Sequence, residues 1–397
     1  MRLMASTGER WLKNVALAFL SLGLTASVPA QAGREPPVVL PRVDVNANVP
    51  LIKIAEYQMR EERYQPAAVV QGDFIYIIGG GTSQGFILDS VERFNVRTGQ
   101  SEEFAQLAIG RRGHRAVLIG NRIYVLGGYS IQSSQTVRPG ASFMGPGNPY
   151  DASIPPVENP NAQPDPEVED YAKRSQSRAG ENTTGVFERA ALDQSVEVID
   201  LTTRKVSHTT EMPDARAQFG CVALGGKIYV IGGQRLYRHA QLARTNTVMV
   251  FDPATAKWSD GVPMPTPRET DAMLVDGRVI IVPGGYDGRT ALPAVEVFDP
   301  QNNIWRILPP LSRPTSAHSL VFLDHYLFLF GDYASPGELL AYDLETKRAE
   351  IFTLQYKPAR HTAAVVNQGK IYVIGGKASS VSDPLGYIQV FALRKKQ

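Results

Sequence analysis

Six short apolar runs that stop on glycine constrain this chain more than any other feature. They read FIYIIGG with its first glycine at Gly79, RIYVLGG at Gly127, KIYVIGG at Gly232, RVIIVPGG at Gly284, YLFLFGD at Gly331 and KIYVIGG at Gly375. The intervals are 48, 105, 52, 47 and 44 residues. Self-similarity at a period of about fifty residues means that each unit is one supersecondary element that buries its apolar faces only against its neighbours. Each unit holds four apolar segments, which in the fourth are DAMLV, RVIIVP, AVEVFD and NIWRIL. They are short, β-branched and bounded by Gly, Pro, Asp or Asn, so they are predicted to be strands. Four strands per unit, repeated around an axis, make a propeller.

The details of the repeat point the same way. Tyr76, Tyr124, Tyr229 and Tyr372 stand three residues before the first glycine, and Trp258 and Trp305 fall on the fourth segment of their units. On these residues the chain resembles the kelch-repeat β-propeller family over nearly all of its length after residue 48. The resemblance implies an all-β, six-bladed propeller of four-stranded blades over residues 48–397. The other units lack the tryptophan, and Asp332 replaces the second glycine of the fifth. The sixth unit ends at YIQVFALRKKQ without a fourth strand, while VPLIKIAEYQM, Val49 to Met59, is a strand without a unit. The latter is predicted to complete the last blade and close the ring.

Residues 1–32 combine basic Arg2, Arg10 and Lys13 with an apolar stretch from Val15 to Val28 and small residues at Ala30 and Ala32. That pattern reads as a secretory signal cut after Ala32, followed by a linker at 33–47, and predicts an exported, periplasmic or secreted protein. The apolar stretch is too short for an ordinary span, so no stable membrane insertion is expected. Removing residues 1–32 takes away three positive charges and one negative, turning the formal charge of +2 into +2 − 3 + 1 = 0, which gives no reason to expect nucleic acid as a partner. With one cysteine, Cys221, the chain cannot form an internal disulfide, and core packing must supply its stability. A monomer is expected.

The long interval locates an insert at about 129–193, inside the second blade between its second and third strands. It is rich in proline and glycine in its first half and carries nine Asp or Glu against five Lys or Arg. Antiparallel order puts the end of strand two on the same face as the entrance to strand one, so the insert must leave from that face. The same face receives arginines. Arg63, Arg111, Arg216 and Arg268 lie 16 residues before the first glycine of their units, Arg313 and Arg360 lie 18 and 15 before theirs, and Arg112 adds a further cation. Together with His114 and His361 they are candidates for an anion site at one mouth of the channel, with the insert as lid or docking element. The competing role is structural: arginine here can bond backbone carbonyls or a carboxylate of a neighbouring blade, with Glu92, Glu197 and Glu296 as partners.

Two function classes follow. The first is a binding module for an anionic small molecule, a glycan or a carboxylate-bearing protein partner, without metal or cofactor. The second is a carbohydrate-active enzyme, because exported six-bladed kelch propellers include the bacterial N-acetylneuraminate epimerases, which the chain resembles in signal, blade number and insert but not in a catalytic motif. Glu269 and Asp271 in PRETDAM are then the acid/base candidates. A protein–protein scaffold that uses the insert is a further alternative. His114, His318 and His361 belong to separate units, which argues against a metal trio.

Overall fold

A computed structural model describes residues 50–131, 190–236, 242–271, 273–275 and 277–394. Residues 1–49, where the signal and linker are expected, and most of the insert, 132–189, lie outside the described residues. The described residues form no helix; they form six four-stranded antiparallel sheets, as an all-β propeller requires. In chain order the first strands of these sheets are Ala67–Gln71, Arg115–Ile119, Gly220–Leu224, Met273–Val275, Ser319–Leu323 and Ala363–Asn367. Each packs against the first strand of the next sheet, and that of the sixth packs against that of the first, so the sheets close a ring around an axis lined by first strands. Leu51–Gln58 pairs antiparallel with Tyr387–Leu393 and supplies the fourth strand of the sixth sheet.

The cores lie between sheets. Second and third strands such as Val279–Pro283 and Val295–Asp299 are buried along nearly their whole length, which explains why they read as continuous β-branched runs rather than as alternating ones. Between the fourth and fifth sheets, Ile281, Val295, Leu320, Leu329, Leu340 and Tyr342 form one apolar cluster. Trp258 and Trp305 lie against Phe251 and Phe298 at ring separations of 4.9 and 5.1 Å. The Trp305 indole donates 2.8 Å to the Val262 carbonyl.

The glycine pair is a docking device between sheets. Gly127 has φ +58°, and a Cβ there would sit 2.6 Å from the Arg216 carbonyl oxygen of the next unit. Its successor Gly128 donates its N–H 2.7 Å to that same oxygen. Gly80, Gly233 and Gly376 donate likewise to Arg111, Arg268 and Arg63, so the last unit is stapled to the first by the same bond.

Candidate functional site

Three consecutive positions before each first strand have three different fates, and together they build one mouth of the ring. Counting back from the first glycine, position sixteen holds Arg63, Arg111, Arg216, Arg268, Thr315 and Ala359. Position fifteen holds Tyr64, Arg112, Ala217, Glu269, Ser316 and Arg360, and position fourteen holds Gln65, Gly113, Gln218, Thr270, Ala317 and His361.

The arginines at position sixteen do not line the mouth, which corrects the expectation for Arg63, Arg111, Arg216 and Arg268. Their relative exposures are 0%, 0%, 1% and 0%. Each donates Nη1 to the carbonyl of its own unit's first glycine, at 2.8, 3.0, 3.1 and 2.7 Å. The left-handed turn of the glycine pair takes that carbonyl out of the strand ladder, and the guanidinium satisfies it. Glu92, Glu197 and Glu296 are the charge partners at 3.5, 2.9 and 2.5 Å, each from the arginine's own sheet rather than a neighbouring one. Arg216 uses Asp214 instead, with Nε donating at 2.6 Å. Burial lowers the pKa of Arg63 and Arg268, while Glu92 and Glu61, and Glu296, oppose that shift.

Arg313 and Arg360 are out of register with this series. Arg313 is half-buried and pairs with Glu338 and, at 3.6 Å, with Asp332. Arg360 and Arg112 belong to the rim position. Arg360 lies 3.6 Å over the Tyr333 ring, and its Nη1 donates 3.0 Å to the Tyr333 carbonyl. Arg112 lies 4.7 Å from the Tyr129 ring and 5.6 Å from that of Tyr64, and donates 2.6 Å to Gln65 Oε1. Lys377 sits 4.4 Å over Tyr64, and Arg244 sits 5.1 Å over Tyr286. The tyrosines of this belt follow the glycine pairs or precede the first strands, a signal present in GGY, GGY and GDY that was not singled out from the sequence.

Position fourteen forms a collar. Gln65 N–H donates to the His361 carbonyl, Gly113 to Gln65, Gln218 to Gly113, Thr270 to Gln218 and His361 to Ala317, all between 2.8 and 3.0 Å. The sixth link, from Ala317 N–H to the Thr270 carbonyl, is not found among the described residues. Arg115, the first residue of its strand, donates Nη2 to that Thr270 carbonyl at 3.3 Å and Nε to the Phe219 carbonyl at 2.9 Å. Its Nε lies 3.6 Å from the Asp271 carboxylate, with side-chain exposures of 23% and 22%. A mouth cavity of about 260 Å³ opens at this break, bounded by Arg115, Asp271, Ser316, Asp332, Tyr333 and His361 among others. Arg115 was missed as a site residue, although its register holds only Ala, Gly or Ser in the other units: Ala67, Gly220, Ala272, Ser319 and Ala363.

The acid/base candidates separate. Glu269 accepts from Arg244 Nε at 2.6 Å and from Gln234 Nε2, which makes it the centre of a rim network. Asp271 faces the cavity beside Arg115. His361 is in the collar, whereas His114 and His318 are buried one register deeper. Among the described residues no His, Cys, Asp and Glu group could hold a metal. Cys221 is in the channel wall, and burial pushes its thiol up to about 12, with Arg115 opposing and Asp271 adding to the shift.

Burial, then the charges of Arg111, Arg115 and Arg63, holds His114 well below the usual imidazole value; burial and Arg115 lower His318 against Asp271 and Asp332. The folded state therefore keeps both neutral while the unfolded chain takes protons below about pH 6.5. Their stabilisation is present above that pH and is lost as pH falls through it, by up to about 1.4 kcal/mol per pH unit for each histidine. Urea unfolding at pH 7.5, 6.5 and 5.5 checks this, and His114→Gln with His318→Gln should flatten the dependence; a wild-type profile as flat as the variant's would refute it.

Both ends of the insert leave from the mouth face: Arg111–Arg112 pairs with Tyr129–Ile131, which pairs with Ala190–Leu192. The lid or docking role assigned to the segment between them falls outside the described residues.

Comparison with known proteins completes the picture. The family model described as the KLHDC2/KLHL20/DRC7 Kelch-repeats domain matches residues 185–332, and the Kelch motif model matches 62–107. Human Kelch-like protein 33 is 32% identical over 129 residues, 32% of this chain and 24% of that protein. Kelch-like protein 25 of Xenopus tropicalis is 27% identical over 191 residues, 45% and 32% of the two chains. Spermatocyte protein spe-26 of Caenorhabditis elegans is 34% identical over 113 residues, 28% and 20% of the two. The match thus spans no more than a third of any of these relatives. The repeated glycine pair, the stapled ring of sheets and these matches agree that the chain is built of kelch repeats.

Proposed function

We propose that this chain is a binding module that takes an acidic segment of a partner protein at the mouth of its propeller. The carrying observation is the belt of cations laid on tyrosines: Arg112 on Tyr64 and Tyr129, Lys377 on Tyr64, Arg360 on Tyr333 and Arg244 on Tyr286. Tyrosine and arginine dominate interface hot spots, because a rigid ring gives contact area at little entropic cost and a guanidinium can bind carboxylates through several hydrogen bonds. A cation already held over a ring loses little freedom when a carboxylate arrives. Kelch repeats fit such a protein-binding scaffold. Action outside the cytoplasm is part of the proposal and rests on the pattern in residues 1–32.

The test uses fluorescently labelled peptides rich in Asp and Glu, their Asn and Gln counterparts, and sialic acid as a small competitor. The acidic peptides should bind, the neutral ones should not, and Arg360→Glu with Lys377→Glu should weaken binding about a hundredfold, as the loss of two charge-assisted contacts implies. Raising the salt should weaken it further, since the contacts join opposite charges. Equal affinity for acidic and neutral peptides, or for wild type and the double variant, would overturn the reading. Tight sialic acid binding without peptide binding would shift it to an acidic sugar.

A further inference from the structure

Below the mouth, a second cavity of about 400 Å³ runs between the first strands. Its wall includes Val70, Leu118, Cys221, Leu320, Phe322 and Val366, and the alternation of the strands explains why. Successive side chains point to opposite faces, so every second residue of a first strand is presented to the axis while the others enter the seams between sheets. Among the described residues the charged side chains that line this cavity are Arg115 and Asp271, and the same two also line the mouth. Among the described residues the cavity is thus faced mainly by apolar side chains, and its two charged ones stand where it meets the mouth.

Arg115 is built into that end. Its Nε and Nη2 are anchored on the Phe219 and Thr270 carbonyls, and Nη1 lies at 3.5 Å from its neighbour's, that of His114. Those bonds take three of the five N–H donors of a guanidinium and leave one on each terminal nitrogen. Asp271 approaches only to 3.6 Å, and both groups are partly open to the cavities. A pair of that separation and exposure contributes little, so a carboxylate arriving from the mouth can exchange with Asp271 at low cost. The carbonyl anchors keep Arg115 in place during the exchange, which is the preorganisation a binding site needs.

We propose that the channel is a binding site for an amphipathic monocarboxylate, a small ligand with its carboxylate on Arg115 and an unbranched apolar tail along the axis. Apolar walls with a few placed polar groups are the usual make-up of a small-molecule site, and a cavity of this volume falls in the usual range. The inference concerns the axis and not the rim, and it stands or falls separately from recognition of a protein partner.

The test is titration calorimetry of the full chain with decanoate, against acetate and decanol as controls. Decanoate should bind saturably, and acetate and decanol should each bind at least about tenfold more weakly, since one lacks the buried tail and the other the charge-assisted bonds. Arg115→Met should weaken decanoate about tenfold or more, while Asp271→Asn, which removes the competing carboxylate, should tighten it. Ala364→Phe should block the tail, and the gentler Ala68→Leu should weaken binding in the same direction if the first variant misfolds. The rim substitution Lys377→Glu should not change decanoate binding by more than about threefold, as expected for a part-exposed, screened charge. No binding of decanoate to the wild type, equal affinity for decanol, or unchanged binding in both Arg115→Met and the channel-filling variants would overturn the proposal.

Discussion

Replacing Arg268 by methionine should destabilise the fold by about 3–5 kcal/mol, the cost of leaving a buried charge without its partner. Glu296 would keep its place at 1% exposure with only the Thr266 hydroxyl at 2.6 Å to hold it. The Gly284 and Ala294 carbonyls, which now accept from Nη1 at 2.7 and 3.2 Å, would each lose a donor. Arg268→Met with Glu296→Met should recover part of the loss, because the stranded charge disappears, and the Ala294 carbonyl still accepts from the Gly284 N–H, while the Gly284 carbonyl stays without its guanidinium donor. Arg289→Met, on the exposed rim, should change stability by less than about 0.5 kcal/mol. Urea unfolding with an unchanged denaturant slope measures all three. An Arg268→Met protein within about 1 kcal/mol of wild type would show that the guanidinium does not hold its own sheet's glycine turn and Glu296 together.

That contrast explains what could and could not be read from the residues. The spacing of the glycine pairs contained the architecture, because a pair in left-handed conformation must recur wherever a sheet docks on the next, and the short β-branched runs leave no alternative to strands. Position sixteen was legible as a register, but the direction of its side chains was not. Arg63 and Arg360 differ by one residue in register, and one residue along an extended chain turns a side chain from the seam to the rim. At position sixteen the fifth and sixth units have Thr315 and Ala359, so counting the nearest arginine mixed two kinds of site.

Arg115 shows the converse case. Its oddness is visible once the six units are aligned, since every other unit has Ala, Gly or Ser there. Its importance depends on the collar bond missing between Ala317 and Thr270, a property of folded backbone that no residue type announces. The belt of cations on tyrosines is of the same kind, for it is assembled from different units: Arg112 reaches the ring of Tyr64, and Arg360 that of Tyr333.

A chain that starts at residue 60 should form larger species than the full chain does and lose its cooperative unfolding. Without Leu51–Gln58, the strand Tyr387–Leu393 becomes an unpaired edge with Ile388, Val390 and Phe391 along it, a template for pairing with another copy. The loss also reaches the core: Leu51, at 1% exposure, packs with Phe330, Phe352 and Phe391, and Met59 packs with Ile75 and Ile388 in the seam beyond. Each such side chain is worth about 2–5 kcal/mol when truncated, so removing the strand should exceed what a single substitution does. Leu51→Ala, which keeps the ladder and opens only a cavity, should cost about 2–5 kcal/mol and leave the size in solution as in the wild type. Light scattering and thermal unfolding separate the two variants, because an open ring should give a broadened transition and larger species, and a cavity only a lower midpoint. Were the shortened chain of wild-type size and melting temperature, closure through the last sheet would contribute nothing. The stability of the ring would then reside in the seams that Arg63, Arg111, Arg216 and Arg268 staple.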